Sequence, residues 1–276
     1  SWLRGTRRIE VESSTVTAAT IRAMRGQPFL DHPRPIAFAH RGGALDAPEN
    51  SMEAFEAAVA AGYRYLETDV HLTADGILVA FHDSVLDRVT DREGAIADLP
   101  WREVRDAKIN GTGTIPRFED LLGAWAHVRI NVDPKADSSV APLIGTIAHT
   151  NSVDRVCVGS FSDKRIAAAR RALGPALCTG LGPRATAQLK AASLGLPVGK
   201  IVGDCAQVPP SFRGVAVVTP SFVEAAHRRQ VAVHVWTIDD AAEMHRLLDL
   251  GVDGIMTDRL HVLREVLESR GAWSDS

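Results

Sequence analysis

Short apolar runs alternate with amphipathic stretches through most of this 276-residue chain, and that alternation limits what it can fold into. Pro35-Ile36-Ala37-Phe38-Ala39 has no polar face, the pattern of a strand covered on both sides. Residues 63–70, 128–133, 154–159, 175–179, 214–218, 231–237 and 253–257 read as further strands. Helical spacing is expected after Ser51 or Asn50, either of which could cap, up to Gly62. It recurs over 117–127, 138–150, 163–173, 184–194, 220–230, 240–250 and 259–270. A strand followed by a helix, about eight times, predicts an α/β protein, a (β/α)8 TIM barrel. Barrels of about 250 residues form one domain, so the length asks for no second one.

The expected barrel runs from 35 to 270, after an N-terminal extension (1–34) and before a short tail (271–276). In the extension, 15–25 predicts a helix and 27–35 a linker. Residues 84–114 are too long for a strand–helix loop and predict a small insertion after the second strand. Ahead of it, Asp75-Gly76 predicts a hairpin returning over 77–82.

The polar residues that break the pattern collect at strand ends, the rim where barrels of this kind place their chemistry. His40 and Arg41 follow strand one. Glu67 and Asp69 are two apart on strand two, so both carboxylates face one way, and like charges there call for a cation between them. Folding about Asp75-Gly76 brings His82 near the level of Glu67. Asn131 and Asp133 share a face of strand three, with Lys135 beyond, and Trp236 ends strand seven. His234 reads as an inner-layer residue, Asp258 as a helix cap, and His71 and His127 as structural.

The net charge of −3 argues against a nucleic-acid surface. No apolar run reaches the ~18 residues a bilayer span needs, so no integral membrane segment is expected. Cys157, Cys178 and Cys205 are odd in number and match no zinc spacing, which fits a reduced, cytoplasmic setting, though a removed signal peptide stays open. Nothing in the sequence sets the oligomeric state.

In order and spacing, the ensemble resembles the glycerophosphodiester phosphodiesterases: His40-Arg41-Gly42-Gly43, Pro48-Glu49-Asn50-Ser51, Glu67-Thr68-Asp69 and Phe81-His82-Asp83. The likeness extends through Asn131 to Lys135, Ser160-Phe161-Ser162, Val235-Trp236-Thr237 and Gly251 to Asp258. It implies hydrolysis of small-molecule glycerophosphodiesters to sn-glycerol 3-phosphate and an alcohol, and a capping role for the insertion. His40 and His82 are then the expected acid–base pair, with their order left open. Arg41, Lys135, Trp236 and Asn50 are expected to bind substrate or phosphate. Glu67, Asp69 and Asp133 are expected to hold one divalent cation, Mg2+ or Ca2+. The family more often has glutamate where this chain has Asp133. Two other classes stay open: a lysophospholipase D with an apolar lip at Leu86, Ile96 and Trp101, and a non-catalytic phosphodiester-binding barrel.

Overall fold

A computed structural model describes residues 26–32 and 35–273; the helix expected over 15–25 lies outside them. Eight parallel strands form the barrel wall: β1 (Ile36–His40), β2 (Tyr65–Leu72), β3 (Arg129–Pro134), β4 (Val156–Val158), β5 (Cys178–Thr179), β6 (Cys205–Val208), β7 (Ala232–Val235) and β8 (Gly254–Thr257). The pairing path β5-β4-β3-β2-β1-β8-β7-β6 has its ends joined by a parallel bridge between Gly180 and Cys205. The sheet therefore closes, and the chain is a (β/α)8 barrel.

Each strand feeds a helix: α1 (Met52–Ala60), α2 (Phe118–Ala124), α3 (Val140–His149), α4 (Asp163–Leu173), α5 (Pro183–Ser193), α6 (Pro220–His227), α7 (Ala241–Asp249) and α8 (Leu260–Ser269). Caps set several starts. Ser51 accepts from the Ala54 N–H, Thr219 from Phe222 and Asp240 from Glu243. The main apolar core lies between these helices and the strands, around Leu66, Ile130, Val233 and Ile255.

A second core fills the lumen with Phe38, Tyr65, Met256 and the three cysteines. Here two expectations are corrected. The stretch read as a linker (27–35) contains a helical turn, Pro28–Leu30, whose Phe29 and Leu30 are buried against that lumen core. Burying each contributes about 1.5–3 kcal/mol, so this part of the extension stoppers the N-terminal end of the barrel. The sixth strand is Cys205–Val208, not 214–218. The latter region holds an exposed hairpin, Ser211–Phe212 paired with Val215–Ala216.

The arm after Asp75-Gly76 is Leu78–Ala80, antiparallel to β2 with Val70 opposite Ala80. The insertion that follows has its own core, in which Leu86, Ile96, Val104 and Ile109 are fully buried against Val79 and Phe81. Leu86 and Ile96 therefore cannot form an apolar lip, and Trp101 packs against the same cluster. The tail is also attached, through Trp273 edge-on to Tyr63 at 5.2 Å.

Candidate active site

His40 is the last residue of β1, and its partner across the ladder is Glu67. The chain then turns sharply. Arg41 adopts a φ of 50°, a left-handed conformation uncommon outside glycine. Two backbone bonds hold it there: Arg41 N–H donates to Glu67 O at 3.0 Å, and Asn50 N–H donates to Arg41 O at 2.8 Å. Asn50 is wholly buried, with its Oδ1 accepting from Thr68 Oγ1 at 2.7 Å. The Pro48-to-Ser51 segment thus clamps the turn that aims Arg41.

Gly42 comes next, at φ +81°. A Cβ there would stand 2.8 Å from Ala54 Cβ and 3.0 Å from the Ala54 backbone carbon, which cannot swing away. Gly42→Ala is expected to cost about 1–3 kcal/mol and to lower kcat/KM, because the displaced loop carries Arg41. Urea unfolding alongside steady-state kinetics checks both; unchanged values would show that the loop tolerates movement.

Both histidines are held in the same way, by a carboxylate on Nδ1. His40 Nδ1 lies 2.7 Å from Asp258 Oδ1, and His82 Nδ1 lies 2.6 Å from Asp83 Oδ1. A carboxylate at Nδ1 fixes the ring's tautomer and leaves Nε2 to act. The Nε2 of His40 is 3.7 Å from Glu67 Oε2. Burial opposes the charged ring of His40, but Glu67 and Asp258 outweigh it and hold its pKa above the ordinary histidine value.

Asp258 is the residue the sequence reading misplaced. It caps nothing: the position before α8 is Arg259, without a side-chain cap bond. Asp258 is itself steadied by Asp239, whose Oδ1 accepts from the Asp258 N–H at 2.8 Å.

The acids sit where β2 meets β3, with Asp69 opposite Asp133 and Glu67 opposite Asn131. Lys135 bridges two of them, its Nζ 2.6 Å from Asp69 Oδ1 and 3.1 Å from Asp133 Oδ2. Arg41 reaches Glu49 at 3.2 Å and Asp69 at 3.4 Å. Glu49 also takes Arg88 of the insertion at 2.6 Å, and Arg88 grips Asp83, which falls to about 2 chiefly through that hydrogen bond. A chain of ion pairs, Arg41–Glu49–Arg88–Asp83–His82, therefore joins the two histidine-bearing loops. His82 is further located by its backbone carbonyl, 3.0 Å from His71 Nε2.

Positive charge does not satisfy every acid. Burial and the neighbouring Asp69 push Glu67 up to about 7. Burial also raises Asp133, with Lys135 opposing. Asp69 Oδ2 and Asp133 Oδ1 are buried without a hydrogen-bond partner among the described residues. Buried carboxylate oxygens on adjacent strands, Asp133 Oδ1 without a hydrogen bond and Asp69 Oδ2 with only Arg41 Nε at 3.4 Å, are the donor set a hard divalent cation selects, so these three acids fit one by chemistry. Among the described residues, only Cys157, Cys178 and Cys205 bring three ligating atoms within 4.8 Å of one another.

Trp236 stands at the end of β7, its ring 5.8 Å from that of Phe161, which is 73% exposed. Gln207 was not anticipated. Its Nε2 donates to Asn131 Oδ1 at 2.8 Å across the lumen, and its Oε1 lies where a Cβ on Gly159 would be only 2.8 Å away.

Residues 40–262 match the model of the Glycerophosphoryl diester phosphodiesterase family. A probable glycerophosphodiester phosphodiesterase 2 of Mycobacterium tuberculosis is 41% identical over 254 residues, covering 89% of this chain and 95% of that protein. A lysophospholipase D of Rattus norvegicus is 27% identical over 296 residues, covering 92% and 91%. Among solved structures, a putative glycerophosphoryl diester phosphodiesterase from Silicibacter pomeroyi superposes with a TM-score of 0.76 at 24% identity, covering 90% of this chain and all of that one. A phosphodiesterase from Oleispira antarctica, in complex with the product sn-glycerol-3-phosphate, gives 0.70 at 22% identity, covering 85% and 97%.

Proposed function

The chain belongs to the glycerophosphoryl diester phosphodiesterase family, and from that premise we propose that it hydrolyses glycerophosphodiesters to sn-glycerol 3-phosphate and an alcohol. The observation that carries this reading is the pair of carboxylate-held histidines on loops tied together by Arg41, Glu49 and Arg88. A phosphodiester is anionic and repels nucleophiles, so cationic groups must meet the charge that grows on its equatorial oxygens. Arg41 offers a planar fork for two of those oxygens, and Lys135 a point charge.

One imidazole takes at Nε2 the proton of the nucleophile as its oxygen bonds to phosphorus, while the other gives a proton to the departing alkoxide as its P–O bond breaks; the nucleophile is water, or the neighbouring glycerol hydroxyl, whose cyclic diester water then opens to glycerol 3-phosphate. Asp258 and Asp83 hold the Nδ1 protons throughout, so neither ring turns over between the steps. Glu67, Asp69 and Asp133 would hold the divalent cation, which when bound adds positive charge against the phosphoryl oxygens. Asn50, buried beneath the turn, serves by positioning Arg41 rather than by touching substrate. Trp236 and Phe161 offer an apolar wall to the glycerol or the head group.

The exposed Phe161 ring favours one second reading, a lysophospholipase D-type activity. The apolar surface it needs comes from Phe161 and from Phe212 and Val215 of the hairpin after β6, 60% and 62% exposed, not from the insertion. A panel of glycerophosphodiesters with different head groups, beside detergent-dispersed lysophospholipids, separates the two. Metal-dependent release of glycerol 3-phosphate from the water-soluble panel is expected; turnover of the dispersed lipids alone would replace the first reading with the second. The described residues include no helix long and apolar enough to cross a membrane.

A further inference from the structure

The three cysteines lie 21 and 27 residues apart in the chain, yet the barrel brings them together on three consecutive strands. Cys157 of β4 and Cys178 of β5 are ladder partners. Cys205 opens β6 beside Gly180. All three are free and wholly buried, and their sulfurs fall within 4.8 Å of one another. Cys157 Sγ and Cys205 Sγ are 3.7 Å apart. Zinc–sulfur bonds of about 2.3 Å at tetrahedral angles place sulfurs about 3.8 Å apart, so the Cys157–Cys205 pair already has the edge length of a thiolate site, with the Cys178 sulfur within 4.8 Å of both.

A second observation comes from β7. His234 points into the same lumen and is wholly buried, and neither ring nitrogen has a hydrogen-bond partner among the described residues. A buried imidazole without partners is costly, and metal ligation is one way to satisfy a nitrogen of this kind. In the ladder, Ala232 pairs with Cys205 and His234 with Gln207, so His234 stands one pleat above Cys205 on the neighbouring strand. The cluster is sealed from the catalytic rim by the Gln207–Asn131 bridge and from beneath by Phe29 and Leu30.

We propose that Cys157, Cys178, Cys205 and His234 form a second, structural metal site inside the barrel, holding one thiophilic ion such as zinc. Four ligands close such a site, and with no position left for water it takes no part in hydrolysis. Enclosed as it is, it fills as the barrel forms, so its binding energy is folding energy. A metal there would tie β4, β5, β6 and β7 together, the arc that contains the two-residue strand β5.

The full chain, purified without chelators, is expected to carry about one zinc per chain by elemental analysis and native mass spectrometry. Asp69→Asn, which alters the rim acids, should keep that ion, and the pair Cys157→Ser with Cys178→Ser should reduce it to under about a tenth. If the double variant fails to fold, wild type refolded with cobalt(II) decides instead. Intense near-ultraviolet thiolate-to-cobalt absorption with visible bands of a tetrahedral ion supports the site. Copper in place of zinc, lost with the cysteines, supports it equally. Three thiols that titrate in denaturant with no release of metal, together with no cobalt spectrum, would overturn it. An ion lost in Asp69→Asn and kept in the double variant would overturn it as well.

Discussion

His40→Ala is expected to lose on the order of 10²–10⁴-fold in kcat while KM for a glycerophosphodiester stays near the wild-type value. The imidazole is held from two sides, by Asp258 on Nδ1 and with Glu67 facing Nε2. Alanine leaves both acids in place but removes the group that can carry a proton between the rim and the substrate. In the proposed reading phosphate contact rests with Arg41 and Lys135, which the substitution does not touch, so binding is expected to survive. The fold should also survive, because His40 is the terminal residue of β1 and its ring is not part of either main apolar core. His82→Ala should behave alike. Asp258→Asn should reduce kcat through the orientation of His40, again with little change in KM, which separates a positioning group from one that binds substrate. Steady-state kinetics with circular dichroism on each variant is the measurement. Either alanine variant within tenfold of wild type would remove the two-histidine scheme.

The residues this reading relies on stand out in the sequence, and the reason is periodicity. In a parallel barrel the wall must be apolar, so His40, Glu67, Asp69 and Asp133 stand out where they interrupt it. The same logic failed at β6. Cys205-Ala206-Gln207-Val208 carries a polar glutamine that faces the lumen and bonds Asn131, so it reads as loop. Val215-Ala216-Val217-Val218 looks like a wall strand, yet Val215 and Ala216 form half of an exposed hairpin. Local composition cannot tell an apolar tip from an apolar wall; only the closure of the sheet does.

Asp258 was misread for a related reason. An aspartate just before a helix is most often a cap, and its true partner, His40, is 218 positions away in the chain. The cysteines carried no signal either, because ligand spacing in sequence is informative within one loop and says nothing when three strands supply one ligand each. The insertion's apolar residues were visible, but Leu86 and Ile96 turned out to serve a small core of their own. Composition alone does not say which way such side chains face.

Excess chelator is expected to abolish turnover, and added Mg2+ or Ca2+ to restore it. The reason is the charge balance at the rim. Glu49, Glu67, Asp69, Asp83, Asp133 and Asp258 gather there against Arg41, Arg88 and Lys135. An anionic phosphodiester entering that field meets a net repulsion, and all three cations are already engaged by acids within 3.2 Å of them, where the Coulomb attraction is strongest. A divalent ion held by Glu67, Asp69 and Asp133 would offset most of that excess and supply positive charge against the phosphoryl oxygens. Loss of one carboxylate should therefore weaken the ion and the rate together. Glu67→Gln and Asp69→Asn are expected to need at least tenfold more Mg2+ or Ca2+ for half-maximal activity, a difference of about 1.4 kcal/mol in ion binding. Titrating activity against each ion, after dialysis against chelator, measures this directly. If the wild-type protein kept full activity in excess chelator, Arg41 and Lys135 would have to carry the phosphoryl charge alone, and the role given to the three acids would fall.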